Sequence, residues 1–373
     1  MKIYIHTQAK KGPWGGGNQF LKALQNYFIN KDSLTNNPYE ADIILFNSFP
    51  FNREFIEYFE LLSYKLINNK AIFVHRLDGP MYNVRGTAIN QILDKYISII
   101  NETLSDANIY QSEWSKHQCK FLGTKGHENE ITVLNAPDTS IFFRKSNKKQ
   151  GEKTNLIATS WSNNILKGFD TYEYLDQNLD FKKFKMTFVG NTPINFKNIK
   201  HKKPLNSLNL AKELRKNDIF ITASRDDPCS NSLIEGIHCG LIPLVRNSGG
   251  HPEIVKNKEF IFKNNEDLLN KLNKLSFKND KSIDLPKIDE VGNKYFKFFE
   301  LVIKNKKFKK DVNKFHSLKI FEIFHLIFII KIGLKIDKYI FSRFPMKIQK
   351  NVRSLFKLNI IGEVKRDIYN IDS

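Results

Sequence analysis

The sequence predicts an α/β protein of two Rossmann-like domains facing a cleft, followed by a basic, apolar helical extension. Three observations lead there. At 373 residues the chain is too long for one typical core and suits two domains of roughly 150–200 residues each. Short β-rich apolar runs alternate with stretches of helical spacing, the pattern of parallel strands crossed by helices. Several of those strands run into polar or glycine-rich loops that open helices, and α/β sheets bind their ligands at such strand ends.

The first domain, residues 1–143, opens with the strand KIYIHTQ, a glycine-rich loop holding Gly15, Gly16 and Gly17, and a helix whose Phe20, Leu21, Leu24 and Phe28 recur at helical spacing. A glycine loop at a helix start suits a phosphate, and a surface turn is the plain alternative. ADIILFNSF is the second strand and NKAIFVHRLDGPMYNVRG the third, ending in His75, Arg76, Asp78 and Arg85. A polar cluster at a strand end is a candidate site; Arg76 and Arg85 would steer a phosphorylated acceptor or else pair with Asp78 as structure. ANIYQSEWSKHQCKFLG gives a strand and a helix, and ITVLNAPDTSIFF closes the domain. The polar run KSNKKQGEKTN reads as a linker.

The second domain, residues 144–285, begins with a strand, a polar loop carrying Lys167 and Gly168, and an amphipathic helix. MTFVGNTP is the next strand, with Gly190 at its end, and KHKKPLNSLNLAKELRKND supplies a loop and helix. The stretch Asp218 to Val255 then reads as a complete binding half-site: DIFITAS delivers a loop to the helix NSLIEGIHCG, and LIPLV delivers the turn NSGGHPEIV. Amides at Ser230, Asn231 and Ser232, and at Gly249 and Gly250, can face a pyrophosphate. Glu235 can accept hydrogen bonds from two vicinal ribose hydroxyls, and Asp227, seven intervening residues earlier, can reach a sugar hydroxyl. Ser232 and Glu235 also fit a capping box, in which the glutamate folds back on the backbone. Residues 286–308 resemble a closing helix that returns to the first domain, and 309–373 form a tail in which bulky apolar residues interleave with lysines.

Acid, seven residues, acid, then a small-residue helix, Gly-Leu-Ile-Pro and Gly-Gly-x-Pro-Glu, resembles the donor site of family 4 glycosyltransferases of the GT-B fold, in a branch with the variant DPCSN. The resemblance covers roughly residues 1–305. It implies that Glu235 holds the nucleotide ribose, that Asp227 contacts the transferred sugar and that Lys167 neutralises the donor diphosphate. It further implies that the glycine loop Gly15 to Gly17 borders the cleft, that Gly190 lies near the base, that His75 orients the sugar, and that Asn135 to Asp138 form the interdomain hinge. The arginine that usually accompanies the lysine is missing from its place near Ser160 to Ser162, so either Lys167 works with backbone donors alone or Arg225 or Arg246 substitutes. The reaction implied is hexosyl transfer with retention from a nucleotide diphosphate sugar to a glycan or lipid-linked acceptor in cell-surface polysaccharide synthesis, needing no cofactor or metal. A non-catalytic nucleotide-sugar-binding scaffold and a GT-B epimerase are the alternatives.

Composition narrows the partners. The net charge is +20, and residues 301–373 hold 14 Lys and 3 Arg against 6 acids, a net +11. No nucleic-acid motif accompanies that charge, so nucleic acid is not an expected partner. Lysines among apolar residues suit an anionic membrane surface instead, with a helical subdomain or an oligomer contact as the other readings, and the longest uncharged run of the tail is too short to cross a bilayer. MKIYIHT enters a strand directly, without the pattern of a signal peptide, so the expected location is cytoplasmic, peripheral to the inner membrane face. Cys119, Cys229 and Cys239 show neither disulfide nor zinc spacing.

Overall fold

The computed structural model describes residues 1–7, 9, 16–47, 57–85, 88–145, 152–274, 283–305, 323–329 and 332. Gly15 lies outside them, as does most of the tail.

The first sheet takes its strands in the order β1 (Ile3–Ile5), β2 (Ile43–Phe46), β3 (Ile72–Leu77), β4 (Ala107–Tyr110) and β5 (Glu130–Thr132), every pair parallel. Between them run α1 (Gly16–Asn30), α2 (Glu57–Ile67), α3 (Met81–Arg85), α4 (Ala88–Leu104) and α5 (Glu113–Phe121). Leu34 bridges Ile3 on the edge of β1 away from β2. The chain therefore crosses to one side of β1 and returns on the other, which opens a crevice at the carboxyl end of that strand.

Alternation explains why the sheet is covered twice. Ile43 and Leu45 of β2 pack with Phe20, Leu24 and Phe28 of α1, while Ile44 and Phe46 pack with Tyr58 of α2 and with Leu93 and Tyr96 of α4. Successive side chains of a strand point to opposite faces, so a run of four apolar residues serves two cores.

The second sheet has the order β11-β10-β9-β6-β7-β8, again parallel throughout. Its elements are β6 (Thr154–Ser160), α6 (Phe169–Asn178), β7 (Phe184–Gly190), β8 (Lys200–Lys202), α7 (Ser207–Leu214), β9 (Ile219–Thr222), α8 (Asn231–His238), β10 (Ile242–Arg246), α9 (His251–Val255), β11 (Ile261–Phe262) and α10 (Asn265–Lys274). The strand order reverses between β6 and β9, and a ligand crevice belongs there.

The closing helix α11 (Ile288–Asn305) follows the second sheet in sequence but packs in the first, its Val291, Tyr295, Phe298 and Phe299 buried with residues of β1 and α1. Gly292 permits this: a Cβ there would lie 2.4 Å from the Tyr27 ring. In the tail, Ile323 and Leu326 are buried against the α2 and α4 face of the first sheet, and Phe324 lies 5.1 Å from Phe59 between ring centroids. No helix among the described residues is long and apolar enough to cross a membrane.

Candidate active site

Both edges of the β6/β9 crevice carry chemistry. After β6, a single 3₁₀ turn ends at Lys167, and Gly168 follows with φ +77°, where a Cβ would stand 2.2 Å from the Ala223 carbonyl oxygen. Only glycine lets the two loops meet so closely. Lys167 Nζ then reaches Asp227 Oδ2 at 2.9 Å, both side chains largely buried. Burial works to raise the Asp227 carboxyl, but Lys167 and then His251 overcome it and hold it below the usual carboxylate range.

His251 is the group that sequence reasoning missed. It is buried, its Nδ1 lies 3.2 Å from the Arg246 carbonyl oxygen, and its Nε2 has no partner. Burial lowers its pKa against the opposing pull of Asp227, and its ring stands close to the Lys167–Asp227 pair. Its place directly after the glycine pair was the available signal.

Ser230 is the N-cap of α8 and makes no side-chain capping bond, and the first helical hydrogen bond runs from the Ile234 amide to the Ser230 carbonyl. The amides of Asn231, Ser232 and Leu233 are therefore the first-turn donors of a helix end, where an anion is favoured. Because the helix starts at Asn231, Ser232 is inside it and the capping-box alternative for Glu235 fails. Glu235 is 5% exposed, its carboxyl has no hydrogen-bond partner among the described residues, and burial pushes its pKa up to about 8. It lies four residues after Asn231, hence on the same face of α8. That face meets the first domain: Asn231 Oδ1 accepts from Asn135 Nδ2 at 2.9 Å, and a Cβ on Gly16 would lie 2.3 Å from Asn231 Cβ. Gly16 thus brings α1 onto α8 across the cleft, whereas Gly17 faces open space.

The glycine pair departs from expectation. Gly249 has φ +63°, and Cβ atoms on Gly249 and Gly250 would meet the Asp227 and Pro228 carbonyl oxygens at 2.4 and 2.2 Å. The Gly250 amide donates to the Asp227 carbonyl at 2.9 Å, so it is committed to seating one loop on the other rather than to an anion. Gly190, φ +126°, likewise sits where a Cβ would collide with the Ser160 carbonyl oxygen, at the carboxyl end of β7 beside β6. The two candidate substitutes for the missing arginine turn to α6: Arg225 pairs with Asp170, and Arg246 Nη1 donates to Thr171 Oγ1 at 3.3 Å.

At the end of β3 the expected roles change hands. His75 is completely buried, stacked on Phe46 at 4.5 Å, with Nδ1 2.9 Å from Asn101 Oδ1, and burial pushes its pKa down to about 3. It packs in the core rather than presenting its ring to solvent. Arg76 follows the structural alternative: it pairs with Asp78, donates to Tyr295 Oη at 3.1 Å and to Asn135 Oδ1 at 2.8 Å, and lies over the Phe20 ring. Arg85 is the last residue of α3, and its side chain is not among the described groups. Of His75, Arg76 and Asp78, Asp78 alone is exposed. Among the described residues no group of His, Cys, Asp and Glu side chains is arranged to hold a metal.

The sequence of residues 180–286 matches the family described as Glycosyl transferases group 1, a stretch that includes Asp227, Glu235 and His251. No curated protein matches the chain. Among solved structures, Anabaena HepE in complex with UDP-glucose aligns with a TM-score of 0.55 at 12% identity, covering 89% of this chain and 98% of its own. A glycosyltransferase from Rickettsia africae gives a TM-score of 0.55 at 18% identity over 80% of this chain and 84% of its own. The catalytic domain of starch synthase IV from Arabidopsis thaliana, bound to ADP and acarbose, gives 0.51 at 12% identity over 78% and 79%. The fold is GT-B.

In this GT-B arrangement the two sheets direct the carboxyl ends of their strands at one cleft. Contacts across it join the halves: Asn135 to Asn231, Asn164 Nδ2 to the Val84 carbonyl at 2.6 Å, and the Glu253 carboxyl to the Glu113 and Trp114 amides at 2.7 and 2.6 Å.

Proposed function

We propose that this chain is a retaining glycosyltransferase that moves a hexosyl group from a nucleotide diphosphate sugar to a glycan or lipid-linked acceptor, in cell-surface polysaccharide synthesis. One observation carries the reading: Glu235, a buried carboxyl without a partner among the described residues, stands on the cleft face of α8 behind open helix-start amides. A buried acid left unpaired is costly, and a pair of ribose hydroxyls supplies the missing donors. The diphosphate then meets the amides of Asn231 and Ser232, Lys167 balances the charge that builds on it as the glycosidic bond breaks, and Asp227 is released from Lys167 to a sugar hydroxyl. Closure about Asn135 to Asp138 excludes water and aligns donor with acceptor. Support for glycosyl transfer comes also from the group 1 match over residues 180–286. The basic tail supports a place at the cytoplasmic face of a membrane, close to a lipid-linked acceptor.

The test is thermal stabilisation of the purified chain by UDP-, GDP-, ADP- and dTDP-sugars, repeated with Glu235→Ala. Stabilisation by one nucleotide class, lost in the variant, is the expected result. Equal stabilisation of both proteins would remove Glu235 from the site, and none in either would sink the donor reading.

A further inference from the structure

We propose that Asp78 is the acceptor-binding carboxylate of the first domain, and that the group it binds is a neutral sugar hydroxyl rather than a phosphate. The inference rests on the donor reading above and adds the other half of the reaction.

The register of β3 isolates Asp78. His75 and Arg76 point to opposite covered faces of the first sheet, one into the α2 and α4 side and the other toward α1 and α11. Asp78 is the first residue past the strand, and its side chain is 50% exposed. Three donors converge on its Oδ1: Asn47 Nδ2 at 3.1 Å from the end of β2, Gln111 Nε2 at 2.9 Å from the end of β4, and the Arg76 guanidinium from β3 itself. Such a carboxylate cannot rotate without breaking those bonds, so its Oδ2 is held in one direction.

The residue after Asp78 lies against the donor domain. The next residue, Gly79, has φ +113°, and a Cβ on it would lie 2.6 Å from Pro228 Cγ. Pro228 follows Asp227 directly, so the fixed carboxylate and the proposed donor-sugar acid belong to loops in contact across the cleft. A carboxylate oxygen accepts hydrogen bonds and repels anions. Arg76 is buried and also held by Tyr295 and Asn135, so the exposed member of the ion pair is the Asp78 carboxylate, which suits a hydroxyl donor and disfavours a phosphate. In the transfer the acceptor oxygen bonds the anomeric carbon as the bond from that carbon to the diphosphate oxygen breaks with its electron pair. The acceptor proton passes to that leaving oxygen, while Asp78 orients the hydroxyl and keeps no proton.

The experiment uses the full chain, the donor found in the nucleotide screen, and a panel of octyl glycosides alongside glycerol 3-phosphate, with donor hydrolysis by water read in parallel. Asp78→Ala and Asp78→Asn should bind the nucleotide within about twofold of wild type yet lose roughly 100-fold in kcat/KM for the octyl glycoside, the cost of a misplaced reactant. Asn47→Ala keeps the Arg76 pair, and should fold as wild type and lose a smaller factor, which separates orientation from stability. Transfer by both Asp78 variants at the wild-type rate, or a preference of wild type for glycerol 3-phosphate, would overturn the proposal while the donor reading stood. A wild-type chain that binds none of the nucleotides would overturn both.

Discussion

Glu235 places a measurable cost in the ligand-free protein. Its pKa is raised by burial from 4.5 to about 8, so between those pH values the native state keeps a proton that the unfolded chain has released. The contribution to stability is therefore complete below the lower value and is lost as pH rises through the upper one, by at most about 5 kcal/mol. Thermal unfolding should show Tm falling from pH 5 to pH 8.5 in wild type and falling less in Glu235→Gln; parallel curves would refute this account. The variant should also bind nucleotide more weakly, since an amide places a donor where the carboxylate offers only acceptors. Asp227 and the helix start that carries Glu235 could be grouped from sequence because they lie close together in the chain, whereas the Lys167–Asp227 contact joins loops far apart in sequence. The place of His75 was not legible, because in a sheet covered on both faces a polar residue within the strand turns into a core, and only the residue beyond the last ladder pair faces the cleft. Nothing in the spacing of HRLDG says where that ladder ends.

The helices show a similar division between what is local and what is not. The closing helix was expected only from the resemblance, and α11 buries Tyr295 and Phe299 in the first core. The clasp between α9 and α5 could not be read, because its parts, Glu253 and the amides of Glu113 and Trp114, are far apart in sequence. Ser112 caps α5 by accepting from the Ser115 amide at 3.0 Å, and Glu253 satisfies the two amides before it from the other domain. An acid at a helix start is stabilising, and here one domain supplies it to the other. Glu253→Ala should cost about 1–2 kcal/mol, the usual loss of a helix cap. Because the cap spans the cleft, the same change should enlarge the radius of gyration in solution scattering and raise the donor KM. A variant that loses stability with unchanged dimensions would show that the cap serves α5 alone and does not hold the cleft.

At the scale of the whole molecule, the described residues of the tail add exposed apolar surface to the first domain. The last fifth of the sequence, residues 301–373, carries +11, and its described helical residues dock on α2 and α4 of the first domain. Ile323 and Leu326 face that domain, while Phe324, Phe328 and Ile332, spaced by four, are exposed. A docked helix has no need of phenylalanines on its outer face unless something covers them, and phenyl rings flanked by lysines suit the boundary of an anionic bilayer. A membrane there would bring a lipid-linked acceptor to the first domain while the nucleotide enters the second from solution. Phe328 is 64% exposed, so Phe328→Asp should leave folding and nucleotide binding unchanged. Sedimentation with phosphatidylglycerol vesicles should weaken roughly tenfold or more in that variant, from the lost burial of one aromatic side chain. Wild-type binding should fall as salt rises, each basic side chain near the surface contributing about 1 kcal/mol, and should be slight on phosphatidylcholine alone. Binding that ignores both salt and Phe328→Asp would mean that this ridge faces a protein partner instead of lipid.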